Sequence, residues 1–106
     1  VIKDLPTVEY IREKLKSSED PIAKAFHIGD GFRVLLFGFR KGMSMKDHDH
    51  EDIHRTKLFV IEGHLIYREK SGREHSLKRY DEFEVPADRI HNIEAVEDSL
   101  MLLTQE

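Results

Sequence analysis

Between Met45 and His54 the chain reads MKDHDHEDIH, which sets His48, His50 and His54, three of its seven histidines, among four carboxylates. Neutral imidazole nitrogens and carboxylate oxygens are the donors that hold first-row divalent ions, with bonds to zinc of about 2.0–2.2 Å. One residue separates His48 from His50. On extended backbone alternate side chains share a face, so both rings can address one centre. A solvated polar loop can contain the same pair, and the surroundings must decide. The chain has no cysteine, which removes thiolate ligands, disulfides and a thiol nucleophile. Any metal here is held by nitrogen and oxygen.

The rest of the chain must supply a frame for those side chains. Its 106 residues suffice for one domain, and 39% apolar with 36% charged residues is the balance of a soluble globular protein. No apolar run approaches a membrane span, and VIKDLPTVEY lacks the basic-then-apolar layout of a signal peptide. The expected setting is cytoplasmic. The net charge of −4 is interspersed, without a basic stripe or interleaved aromatics. Nucleic acid and membrane are therefore not expected as partners, whereas a small molecule is.

A helix is expected near the start. Thr7 follows Pro6 as its cap, and Val8, Ile11 and Leu15 recur at helical spacing before SSED and Pro21 end it. The pattern then turns to period two. IAKAFHI, FRVLLFGF, KLFVIEG and HLIYREK read as strands, with turns at GDG and KSGR and a bend at Gly63. EHSLKRYDEFEV adds one or two more, and HNIEAV and LMLLT complete the set. This predicts a helical segment over 1–20 and an all-β domain over 21–106, a small sandwich or barrel of seven or eight strands. Phe32, Phe37, Phe39, Phe59 and Phe83 are expected in its core. His27 is expected half-buried at a strand end, and His64 and His75 at the surface. The segment IAKAFHI is the candidate edge for a homodimer.

Two stretches frame the histidines further. Gly42, five residues, His48 and His50, and then Gly63 form the first; Pro86 and His91 in YDEFEVPADRIH form the second. In that order on β-rich sequence they resemble the two motifs of the cupin superfamily, over roughly Arg33 to Thr104. The resemblance implies a single-domain jelly-roll β-barrel with one short N-terminal helix. The two motifs would lie on neighbouring strands, bringing His91 to the same ion as His48 and His50. The chain also departs from the pattern. Thr56 stands at the family's glutamate position, Tyr80 and Asp88 stand where glycines are usual, and the His50–Gly63 segment is one or two residues longer.

The ligands so implied are His48, His50 and His91, with His54 expected as the fourth; Glu51 or Asp52 bending inward, or water, are the alternatives. An imidazole in place of a carboxylate leaves the centre more positive, which favours zinc, nickel, copper or iron over manganese. Glu51 and Tyr67 are the candidates for moving protons. The expected function is a metal-dependent enzyme of the dioxygenase or isomerase/lyase kind on a small organic substrate. The alternative is a non-catalytic barrel that binds a small ligand or senses metal.

Overall fold

A computed structural model describes residues 5–48, 55–87 and 89–106, the side chains at 46–48 excepted. The elements run α1 (Thr7–Leu15), β1 (Ile22–Gly29), β2 (Phe32–Phe39), β3 (Ser44–His48), β4 (Thr56–Glu62), β5 (His64–Glu69), β6 (Glu74–Lys78), β7 (Glu82–Val85), β8 (His91–Ala95) and β9 (Ser99–Gln105). The strands form two antiparallel sheets, ordered β1-β2-β9-β4-β7 and β3-β8-β5-β6. Burial alternates along β5, β8 and the second half of β9, the period expected where one face meets a core. Leu58, Val60, Leu65, Tyr67, Ile93, Met101 and Leu103 fill the space between the sheets, and Leu36 is buried on the other face of the larger sheet, the one the helix covers. Among the described residues, no helix is long and apolar enough to cross a membrane.

The helix occupies the expected place but begins differently. Thr7 is its first helical residue; Pro6 is the cap, and no side chain caps it. The Pro6 carbonyl accepts the Tyr10 N–H at 2.9 Å and so starts the ladder one residue early. Val8 lies at the surface, because the helix docks through Ile11 and Leu15. That docking uses Gly38 of β2, where a Cβ would stand 2.2 Å from Ile11 Cγ2.

Two further expectations fail at the β1 end of the larger sheet. Phe32 is 44% exposed, and His27 is exposed instead of half-buried, its ring stacked on Phe32 at 5.3 Å. β1 is an edge strand, and a register shift between Ala25 and His27 interrupts its pairing with β2. From that bulge on, Phe26 and Ile28 are exposed, so among the described residues nothing of the smaller sheet covers the strand.

Two tight positions fix how the sheets connect. Gly63 passes the chain from β4 to β5 at φ +94, and a Cβ there would lie 2.2 Å from Ser99 Oγ and 2.4 Å from the Asp98 carbonyl. The Ser99 hydroxyl meanwhile accepts the His64 N–H at 3.0 Å, which locks the corner. Tyr80, at the second motif's first glycine position, keeps the left-handed backbone with φ 71. Its N–H donates to the Val60 carbonyl at 2.7 Å, and its ring stacks on Phe59. The turn geometry therefore persists where the glycine does not.

Candidate metal centre

β8 lies inside the smaller sheet, between β3 and β5. Its first residue, His91, is 1% exposed. The ring Nδ1 lies 2.9 Å from the Arg89 carbonyl oxygen. A carbonyl can only accept, so Nδ1 carries the proton and the lone pair of the neutral ring is on Nε2. Metal-binding histidines are commonly held this way, one nitrogen donating to a backbone carbonyl and the other serving as ligand.

The register supplies neighbours on both sides. His91 is the Cα partner of His48 in β3 and of Glu69 in β5. Directly opposed residues of an antiparallel pair lie only ~4.5–5.5 Å apart at Cα. Glu69 and Tyr67, two residues apart on β5, both belong to its buried set. The Tyr67 hydroxyl donates to Glu69 Oε2 at 2.9 Å, and Arg89 Nη1 donates to Glu69 Oε1 at 3.4 Å. The Tyr67 ring also packs beside His91, with centroids 5.1 Å apart, and against Phe83 at 4.6 Å.

These surroundings set the protonation states. Burial pushes the Tyr67 phenol above its ordinary value, and its hydrogen bond to Glu69 and that carboxylate's charge push the same way. Burial alone would raise Glu69, but the Tyr67 hydrogen bond and the Arg89 and Arg73 charges outweigh it and hold the carboxyl below its usual range. At neutral pH the pair is a phenol donating to a carboxylate.

The linkage to stability follows from these directions. A phenol that keeps its proton longer when folded contributes stability that is intact below its unfolded pKa of ~10 and is lost as pH rises above it. Glu69 contributes the opposite limb, intact above ~4.3 and lost as pH falls through its lowered folded value. The parent's urea midpoint should therefore decline between about pH 10 and 11, and Tyr67→Phe should flatten that decline. An equally steep decline in the variant would refute this account.

Thr56 is described and buried at the start of β4, where its hydroxyl accepts the Gln105 amide at 3.2 Å. Gln105 in turn accepts Arg33 Nε at 2.7 Å. The residue at the glutamate position is thus engaged within its own sheet, β4 being paired with β9 and β9 with β2.

The structure brings Tyr67 to His91, and it pairs the His48 backbone with that of His91. His50, Glu51, Asp52, His54 and Asp88 lie outside the described residues. Among the described residues, no group of three or more His, Asp or Glu side chains is arranged to hold a metal. His64 donates to or accepts from Ser76 Oγ at 2.6 Å, and exposed His75 stands 4.8 Å from the Phe83 ring. Glu69 was not anticipated. Its one signal in the sequence is parity with Leu65 and Tyr67 in HLIYRE, which puts a charged residue on the apolar face.

No protein-family model matches this sequence, and no curated protein matches it. Solved structures do. An RmlC-like cupin protein from Desulfovibrio desulfuricans superposes with a TM-score of 0.75 at 21% identity, covering 82% of each chain. KdgF from Halomonas sp. gives 0.73 at 22%, over 84% of this chain and 82% of that one. A cupin superfamily protein from Desulfitobacterium hafniense DCB-2 gives 0.72 at 22%, over 94% and 86%. At these identities the likeness is one of fold.

Proposed function

Since this chain has the cupin fold, we propose that it binds one divalent transition metal inside its barrel and acts there on a small organic substrate. The ligands in this reading are His48, His50 and His91, with His54 as the fourth. The observation that carries it is His91 itself, a buried imidazole whose Nδ1–H is donated to a backbone carbonyl. Such a ring offers Nε2 as a neutral donor without loss of a proton. The pairing of His48 with His91 supports it, because it puts a residue of each motif side by side on neighbouring strands.

When bound, zinc, nickel, iron or copper would supply Lewis acidity toward a carbonyl or enediol oxygen, or with iron a dioxygen site. The chain's own residues would do the rest. Tyr67 and Phe83 form an apolar wall beside His91 that excludes water. A phenol pushed upward is a poor base at neutral pH, so Tyr67 serves as a hydrogen-bond donor that holds Glu69 in place. Glu51 from the histidine-rich segment would accept a proton. Elemental analysis of protein purified without chelator should give close to one metal per chain, and His91→Ala should lose it. Protein that carries no metal and takes up none on soaking would end this reading.

We also infer a homodimer formed through β1. Among the described residues this strand is paired only with β2, and Phe26 and Ile28 are 61% and 70% exposed. An open edge with apolar side chains is a template for a second strand, and a second copy supplies the same surface. Sedimentation equilibrium at micromolar concentration should report a dimer. Ile28→Glu should weaken it by tenfold or more, in line with ~1.4 kcal/mol or greater for a buried interface anchor. A monomeric parent under those conditions would refute the dimer.

A further inference from the structure

An ion held by neutral imidazoles alone brings two positive charges into the barrel, where uncompensated charge is expensive. The glutamate of the motif would offset one of them. Thr56 stands there instead, neutral and hydrogen-bonded to Gln105. A buried carboxylate does exist close by. Glu69 sits on the inward face of β5 with its side chain 2% exposed, and it is the register partner of His91. His48 is paired with His91 from the other side, so His48, His91 and Glu69 form one row across β3, β8 and β5. We propose that Glu69 is the anionic member of the metal centre, supplying beside His91 the negative charge that Thr56 does not.

The inference rests on the metal-centre reading and adds to it a residue outside both motifs. Glu69 is held by Tyr67 at one oxygen and by Arg89 at the other. Arg89 offsets part of the charge, but its contact is long at 3.4 Å and its side chain is 50% exposed. Solvent screens that pair more than it screens an ion inside the barrel. The competing role is purely structural, since a buried tyrosine hydroxyl requires an acceptor and Glu69 is one. Glutamine at 69 separates the two roles. Its amide oxygen can still accept from Tyr67, whereas the charge is gone.

Zinc titration of the metal-free protein against a competing chelator tests the assignment, with melting temperature followed in parallel. Glu69→Gln should fold, keep one-to-one stoichiometry and bind zinc about 10–100-fold more weakly, the range for losing a partner next to the ligands. Parent-like affinity in Glu69→Gln, with His91→Ala losing the ion, overturns the role of Glu69 and leaves the centre standing. Parent-like affinity in His91→Ala overturns the centre itself. Should Glu69→Gln fail to fold, the double variant Tyr67→Phe/Glu69→Gln removes the hydroxyl that needs an acceptor and is measured in its place. The same 10–100-fold loss is expected there, and an unchanged affinity overturns the proposal.

Discussion

Gly63→Ala should lower stability by about 2–5 kcal/mol, a large part of the ~5–15 kcal/mol that holds a domain folded. Two costs add at this position. The backbone is left-handed at φ +94, which costs a residue with a Cβ about 1–2 kcal/mol. The new methyl would also stand 2.2 Å from Ser99 Oγ and 2.4 Å from the Asp98 carbonyl. Overpacking of this kind costs ~1–3 kcal/mol, and here two of the three nearest atoms, the Asp98 carbonyl oxygen and Ser99 Cα, are main chain. In a domain of this size each kcal/mol lowers the melting temperature by roughly 4–8 °C. Gly42→Ala is the control, since Gly42 has φ +90 but nothing within 4 Å of an added Cβ. It should show the backbone cost alone. Thermal melts in which the two variants fall equally would remove the steric part of the argument.

His91→Ala should reduce affinity for zinc or nickel by more than about 100-fold, beyond the 10–100-fold typical of losing an outer-shell partner. The variant deletes a buried donor whose tautomer the Arg89 carbonyl has already set. It also leaves a cavity beside Tyr67, so a moderate loss of stability should accompany the loss of metal, and circular dichroism must show that the fold persists. His64→Ala is the matching control, because His64 hydrogen-bonds Ser76 and belongs to neither motif; its affinity should equal the parent's. In the parent, affinity should fall as pH drops through the histidine range near ~6.5, where protons compete for the same nitrogens. A flat profile across that range would contradict imidazole ligation.

Much of the architecture was legible because its strands carry their signals locally. FRVLLFGF is β2 residue for residue, and KSGR is the turn between β5 and β6. The glycine-bearing corners were readable too, and Tyr80 shows why its substitution did not mislead: the required φ is kept by the turn. The misreadings share a cause in tertiary context. Phe32 reads as core and His27 as half-buried by type, but β1 is an edge strand among the described residues, and at its outer end the two rings stack on each other at the surface. Thr7 is a good cap by type, yet the Pro6 carbonyl already begins the helix. At the site, His91 could be chosen by spacing within a motif. Glu69 could not, because its value lies in a cross-strand register that a linear pattern does not encode.

β3 is the outer strand of its sheet, and its ladder with β8 shifts between Met45 and His48. Only one neighbour therefore anchors the segment that leads into the histidine-rich stretch, whereas His91 is anchored from both flanks. Among the described residues, His91 is thus fixed along both flanks of its strand, whereas the backbone of His48 is fixed along one. Of the donors proposed for the ion, the imidazole on β8 is therefore the one whose position its sheet sets most tightly.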